Sequence, residues 1–240
     1  MRSKTVTVFS FSGIDGAGKS TQIEQLLHYL QQMGRRVTVY TFWDDVVAFS
    51  KLREGISLSL FKGERGVGSP DRPIRRRDKN VNSGLVVAFR LVLYLIDVLR
   101  LCMISHRTGA ADTDVIIFDR YIYDELANLP LHHQIVRAYI TLLLRFTPKP
   151  DIAFLVDADP EAACTRKPEY PLDFVRRNRE AYLRLARMAG IHVLPSDSIE
   201  QAGARIQALV MGFFSTTAEP PVALPLECPA SGNSASGTNG

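Results

Sequence analysis

The feature that most constrains this chain is the glycine-rich segment at residues 13–20, Gly-Ile-Asp-Gly-Ala-Gly-Lys-Ser. It follows an alternating apolar run at residues 5–11 and precedes apolar residues at helical spacing over residues 20–33. A strand, a glycine loop and a helix in this order form a cradle for phosphate, because glycines let backbone N–H groups converge on phosphate oxygens and the helix adds its positive end. The segment therefore predicts a nucleotide phosphate site.

Two side chains of this glycine loop have the chemistry that a nucleoside triphosphate needs. Lys19 is expected to reach the β- and γ-phosphates of ATP, and the Ser20 hydroxyl is expected to bind Mg²⁺. The ATP-binding residues predicted in this segment are Gly13, Gly16, Ala17, Gly18, Lys19, Ser20 and Thr21. The loop thus predicts an ATP-using phosphoryl-transfer enzyme with Lys19 as a catalytic residue and Mg²⁺ as its cofactor.

The rest of the chain alternates short apolar runs with helix-like stretches. After the first strand, further strands are expected at residues 36–42, 115–118, 152–156 and 191–194, with helices between them. Such alternation predicts a parallel sheet with helices on both faces and ligands at the carboxyl ends of the strands. We therefore expect an α/β fold of the P-loop NTPase type, a three-layer sandwich around a five-stranded parallel sheet.

Composition sets the limits of the domain and of its partners. The 240 residues are 46% hydrophobic and 22% charged, which suits one globular domain, predicted over residues 1–214. Residues 215–240 contain four Pro, three Gly and four Ser, so a disordered tail is expected there. The net charge of +4 suits anionic ligands, but the basic residues are spread along the chain, so small phosphorylated ligands are favoured over nucleic acid. The three cysteines lack paired spacing, and a cytoplasmic protein is expected.

Residues 85–104 form the longest apolar stretch, interrupted only by Arg90, Asp97 and Arg100. A membrane span is one interpretation of this stretch. It would leave the glycine loop and the strand ending at Asp119 on opposite sides of the membrane, so a buried crossover helix is favoured. Arg90 and Asp97 are seven residues apart and share one helical face. We expect them to bind the acceptor, the molecule that receives the phosphoryl group.

A carboxylate follows the apolar run at residues 115–118 and is the second chemical signal. In P-loop folds an Asp at this place, here Asp119, holds Mg²⁺ directly or through water. The alternative is a strand-ending Asp that only caps the next segment. Arg120, next to it, is predicted to be catalytic because it can neutralise the charge of the phosphoryl group in transfer.

The chain resembles the thymidylate kinase family of nucleoside monophosphate kinases. The residues that carry the resemblance are the glycine loop with its flanks, Asp119-Arg120-Tyr121, Pro150-Asp151, Asp157, Asp159-Pro160-Glu161, Arg166, Ala181-Tyr182-Leu183 and Ser196-Asp197. The resemblance implies that Asp15 contacts the sugar hydroxyl of the acceptor and that Tyr121 also binds the acceptor. It implies further that Arg166, at the base of a short lid, is catalytic and lies against the adenine of ATP, and that Asp197 binds ATP.

Two positions depart from the pattern of this family. The arginine that follows the second strand in the family is replaced by Phe42-Trp43-Asp44-Asp45, and the thymine-reading arginine of the central helix falls at Asp97-Val98. Three functions therefore stay open: a kinase of dTMP or another nucleoside monophosphate, a kinase of a non-nucleotide or unphosphorylated small acceptor, and a nucleotide-binding regulatory protein without turnover. A homodimer is compatible with each of them.

Overall fold

Five parallel strands form the centre of the molecule in a computed structural model that describes residues 6–47, 84–108, 113–195 and 198–217. The strands are β1 (Thr7–Ser12), β2 (Val37–Thr41), β3 (Val115–Asp119), β4 (Ile152–Val156) and β5 (His192–Leu194). Their order in the sheet is β2-β3-β1-β4-β5, and every neighbouring pair is parallel. The predicted five-stranded parallel sheet and the α/β class are confirmed.

Eight helical segments surround or follow these strands in the described residues. They are α1 (Lys19–Gln32), a π-helical turn (Phe42–Val46), α2 (Gly84–Thr108), α3 (Ile122–Leu126), α4 (Gln134–Phe146), α5 (Pro160–Arg166), α6 (Leu172–Ala189) and α7 (Ile199–Thr217). α5 begins as its sequence predicts, because Asp159 accepts a 3.0 Å hydrogen bond from the Ala162 N–H and Pro160 occupies the first helical position.

The sheet is buried on both faces, which explains why its central strands are continuously apolar. Ile116 and Ile117 point to opposite faces of β3, and both are almost fully buried. On the neighbouring strands Phe11 and Phe154 stack with their ring centroids 5.0 Å apart. This core fixes β1 and β3 side by side, with Phe11 paired to Asp119 at their carboxyl ends. The predicted nucleotide site lies at that edge.

The apolar stretch after the second strand is a crossover helix, as predicted. α2 buries Tyr94, Asp97, Val98 and Leu101 at helical spacing. Among the described residues, no helix has the length and apolar composition that a membrane crossing requires.

Two sequence predictions fall mainly outside the described residues. The sequence predicts a short helix at residues 46–61, followed by a loop rich in Gly, Pro and Arg at residues 63–83. Both lie outside the described residues, apart from residues 46–47, which close the π-helical turn. α7 continues to Thr217, three residues past the predicted domain boundary at 214, because Ser215, Thr216 and Thr217 bond back to carbonyls of their own helix. Residues 218–240 lie outside the described residues, so the disordered tail stays a prediction.

Candidate active site

The glycine loop connects β1 to α1 at the carboxyl edge of the sheet. Gly13, Gly16 and Gly18 all have positive φ, at 144°, 81° and 92°. At Gly16 an added Cβ would also collide with the Ala163 carbonyl oxygen of α5. The loop can therefore keep this path only with glycine at these positions, and the path leads the chain straight into the N-terminus of α1 at Lys19.

Lys19 is folded back onto the loop that precedes it. Its Nζ donates 2.8 Å hydrogen bonds to the carbonyl oxygens of Gly13 and Ile14, and the residue is only 7% exposed. Burial lowers the pKa of Lys19 from its ordinary 10.5 to about 8, and the positive charge of Arg120 is the next cause. A phosphate that accepts from this amine would supply the negative charge that the buried cation lacks.

Ser20 and Asp119 are the two side chains that are predicted to bind Mg²⁺. Ser20 is exposed in the first turn of α1, and Asp119 ends β3 beside the start of the loop. Within the described residues no group of three or more His, Cys, Asp or Glu side chains is arranged to hold a metal by itself. A hydroxyl and a carboxylate that leave further positions to phosphate oxygens and water are a donor set that fits Mg²⁺.

Arg120 lies at the centre of a charged cluster beneath the loop. Its backbone is left-handed, with φ 67°, and its N–H donates to the Phe11 carbonyl oxygen at 2.9 Å. Its guanidinium contacts the Asp15 carboxylate through Nη2 and lies 3.3 Å from Asp124 Oδ1 through Nη1. Burial opposes the charged form, but the charges of Asp124 and Asp15 outweigh it and raise the pKa of Arg120 above its ordinary value. The structure thus brings Asp15, Lys19 and Arg120 together.

Asp124 is the residue of this cluster that sequence reasoning missed. Its side chain is 2% exposed, and it accepts hydrogen bonds from the Ser12 hydroxyl at 2.6 Å, the Tyr121 N–H at 3.1 Å and the Tyr182 hydroxyl at 2.7 Å. Burial raises the pKa of Tyr182 well above its ordinary value, and the charge of Asp124 adds to this. The one sequence signal was a carboxylate four residues after Arg120, at the start of a predicted helix.

Two residues assigned to acceptor binding are buried. Tyr121 is 1% exposed, its ring packs against Phe118, and its hydroxyl donates to the Pro148 carbonyl oxygen at 2.6 Å. Both its ring and its hydroxyl are thus used within the core, and the assignment of Tyr121 to acceptor binding stays a prediction. Asp97 is fully buried in α2, so its assignment stays a prediction that requires the side chain to become accessible. The side chain of Arg90 lies outside the described residues, as does the whole of Asp197.

The lid side of the site is formed by α5 and the start of α6. Arg166 ends α5, is exposed, and bonds through Nε to the Ala162 carbonyl oxygen at 3.2 Å. Among the described residues its guanidinium has no carboxylate partner, whereas Arg176 contacts Glu161 and Arg179 holds Asp157 through two bonds of 2.6 and 2.7 Å. Arg166 is thus an exposed cation at the base of the lid, and its catalytic and adenine-binding role stays a prediction.

Known proteins resemble this chain over most of its length. No protein-family model matches it. A thymidylate kinase of Bifidobacterium longum subsp. infantis is 30% identical over 212 residues, which are 83% of either chain. A probable thymidylate kinase of Archaeoglobus fulgidus is 23% identical over 215 residues, 87% of this chain and 96% of that one. The solved thymidylate kinase of Ehrlichia chaffeensis shares the fold, with a TM-score of 0.52 at 19% identity over 86% of this chain and 98% of its own. Together with the glycine loop and the Asp-Arg pair after β3, these relatives show that the chain belongs to the thymidylate kinase family.

Proposed function

We propose that this protein transfers the γ-phosphoryl group of ATP to a nucleoside monophosphate in the presence of Mg²⁺, with dTMP as acceptor and dTDP and ADP as products. One observation carries the proposal: Lys19 of the glycine loop and Arg120 after β3 converge at one edge of the sheet, within one electrostatic cluster. A donor phosphate at Lys19 and an acceptor phosphate at Arg120 would face each other there. The names of the relatives support dTMP as the acceptor.

The chemistry that these residues perform is positioning and charge neutralisation. A phosphate monoester is already largely ionised at neutral pH, since its second pKa is about 6, so no side chain has to remove a proton from the acceptor. Lys19 would bind the β- and γ-phosphates, and Arg120 would balance the charge on the group in transfer. Ser20 and Asp119 would hold Mg²⁺, which supplies further neutralisation of the phosphate oxygens when bound.

The charges of the cluster would make this site depend on added cations. Asp15, Asp119 and Asp124 carry three negative charges, whereas Lys19 and Arg120 carry two positive ones. The protein alone therefore presents about one net negative charge to two anionic nucleotides. Mg²⁺ and the lid cation Arg166 are the groups that would reverse this balance.

The proposed activity is tested with a panel of acceptors. With ATP and Mg²⁺ we expect ADP to form only when a nucleoside monophosphate is added, fastest with dTMP among dTMP, dUMP, UMP and CMP. Chelation of Mg²⁺ by EDTA should abolish this ADP. The measurement is coupled detection of ADP with chromatography of the products. No acceptor-dependent ADP with any of the four would refute the proposal, and turnover with thymidine or a sugar alone would point to a kinase of unphosphorylated acceptors.

The pairing of Asp15 favours a phosphorylated acceptor over an unphosphorylated one. A kinase that acts on a hydroxyl needs a general base, and Asp15, Asp44 and Asp45 are the carboxylates of the glycine loop and of the turn after β2. Asp15 contacts the guanidinium of Arg120, and Asp45 accepts the Thr41 N–H at 2.7 Å. A carboxylate that is paired to a cation is a weaker base, because the cation stabilises its ionised form.

We also propose that two copies of the chain associate through α2 and α4. Their exposed apolar side chains are Val92, Leu95, Leu99, Met103, Leu142 and Phe146. The two helices touch here, since the Cys102 thiol lies 3.8 Å from the Phe146 carbonyl oxygen. The six side chains carry no charge, as is typical of a permanent interface between identical chains. Sedimentation should show a dimer that Leu99→Glu dissociates and that Met211→Glu, on α7, leaves intact; a monomeric wild-type protein would refute this.

The cytoplasm is the proposed compartment. Cys102 and Cys164 are free thiols, and both substrates of the proposed reaction are nucleotides. Cell fractionation with an antibody to the chain tests this location, and recovery outside the cytoplasmic fraction would contradict it.

A further inference from the structure

The guanidinium of Arg120 is held between two carboxylates that lie in different surroundings. Asp15 belongs to the glycine loop and contacts Nη2, whereas Asp124 belongs to α3 and lies 3.3 Å from Nη1. We propose that Asp124 is a permanent positioning residue for Arg120 and that Asp15 is an exchangeable partner, which the phosphate of the acceptor replaces. The inference rests on the proposed function, because it assigns Arg120 to the acceptor phosphate.

Asp124 has the environment of a fixed anchor. Three donors besides Arg120 hold its carboxylate, and they come from β1, from the N-terminus of α3 and from α6, through Ser12, Tyr121 and Tyr182. The side chain is 2% exposed, so leaving these donors would bury all three without partners. Asp124 therefore has no alternative position, and the nitrogen of Arg120 that it holds stays in place.

Asp15 has the environment of a partner that can leave. Its side chain is 15% exposed, more than that of Asp124, and it stands on the loop that receives phosphate. An acceptor phosphate with nearly two negative charges would repel the Asp15 carboxylate at the same guanidinium edge. Since the Asp15 side chain is partly exposed, its rotation would free Nη2 for the phosphate. The displaced carboxylate would then be close to the sugar hydroxyl that the family resemblance assigns to it.

The guanidinium of Arg120 can bind Asp124 and the acceptor phosphate at the same time, because its N–H groups form a rigid, planar fork. With Nη1 fixed by Asp124, the direction of Nη2 is fixed as well, and the phosphate meets an oriented donor. The backbone N–H of Arg120 bonds to the Phe11 carbonyl oxygen at 2.9 Å, but this bond leaves the torsions of the long side chain free to rotate. Asp124 therefore affects the binding of the acceptor. Lys19, which would bind the donor ATP, has its own hydrogen bonds to two loop carbonyl oxygens.

Calorimetry of thymidine and dTMP binding distinguishes the roles of Asp15 and Asp124. The dissociation constant of thymidine divided by that of dTMP measures how much the acceptor phosphate contributes to binding. We expect Asp124→Asn to lower this ratio at least tenfold, because Arg120 loses the carboxylate that orients it. We expect Asp15→Asn to raise the ratio, because the carboxylate that competes with the phosphate for Arg120 is removed. Ser12→Ala is the matched control, since it removes a hydrogen bond to Asp124 without changing the charge, and it should alter the ratio less than threefold. The KM for ATP should change less than threefold in Asp124→Asn.

A change of the same sign in both carboxylate variants, or an unchanged ratio in Asp124→Asn, would overturn the proposal. Nitrogen-15 NMR of the arginine side chains tests it without a nucleotide: rotation of the Arg120 guanidinium should be slow in the wild-type protein and should be accelerated more by Asp124→Asn than by Asp15→Asn. If the wild-type protein bound no dTMP, the proposed function would fail while this NMR arm still decided the role of Asp124. If Asp124→Asn did not fold, rotation that became fast when dTMP was added to the wild-type protein would overturn the anchor.

Discussion

Lys19→Met is expected to lower the turnover number of phosphoryl transfer by about 10³-fold or more while the protein stays folded. Methionine has a side chain of similar length, so it fills the same space in the loop but brings no charge and no donor to the phosphates. The structure supports this assignment because the Lys19 amine is buried in the loop and bonds there to two neutral carbonyl oxygens, so a phosphate that accepts from it would add a counter-charge in direct contact. Steady-state rates of ADP formation at saturating dTMP measure the loss.

The stability of the Lys19→Met variant separates a catalytic role from a structural one. A pKa lowered from 10.5 to about 8 means that keeping this amine charged in the folded protein costs roughly 3 kcal/mol at neutral pH. Its two hydrogen bonds to loop carbonyls return about 1 kcal/mol each. Substitution removes both the cost and the bonds, which nearly cancel, so the free energy of unfolding in urea should stay within about 1 kcal/mol of the wild-type value. Lys149→Met, at an exposed lysine, is the control that should keep full turnover; a Lys19→Met enzyme with more than a tenth of the wild-type rate would contradict the assignment.

The sequence could predict those parts of the fold whose causes are local. The fourth strand was expected at residues 152–156 and is found there, because five buried residues in a row leave no helical alternative between polar ends. The glycine loop is predictable for the same reason: its positive φ angles require glycine at fixed positions, so the loop leaves a local pattern in the sequence. The location of Arg120 at the carboxyl edge of the sheet was also predictable, because the residue directly follows the third strand.

The part of the site that could not be predicted depends on contacts between distant residues. Asp124 acquires its role from Ser12, which is 112 positions away, and from Tyr182, which is 58 positions away. Nothing in the sequence around Asp124 indicates that these hydroxyls converge on it. The contacts of Tyr121, which the family resemblance assigns to the acceptor, could not be predicted either. Its hydroxyl reaches the Pro148 carbonyl oxygen, a partner that only the packed structure reveals.

Gly13→Ala is expected to destabilise the fold and to abolish ATP binding together, because one atom would disturb both the sheet and the loop. A Cβ at Gly13 would lie 2.5 Å from the Val156 carbonyl oxygen, which is backbone of β4 and has little freedom to move. The φ of 144° at Gly13 adds conformational strain for any other residue. We expect the free energy of unfolding in urea to fall by about 3 kcal/mol or more.

Gly34→Ala is the matched control, because it carries the cost of positive φ without the close approach. Gly34 has a φ of 73°, but an added Cβ there would meet nothing within 4 Å, and the residue follows α1 at the end far from the glycine loop. It should cost only about 1 to 2 kcal/mol and leave the KM for ATP unchanged. The difference between the two variants measures the contact of the loop with β4 together with the greater strain of a φ of 144° than of 73°. If Gly13→Ala were no less stable than Gly34→Ala, this contact would not be what sets the position of the loop, and the rigid placement of Lys19 would need another cause.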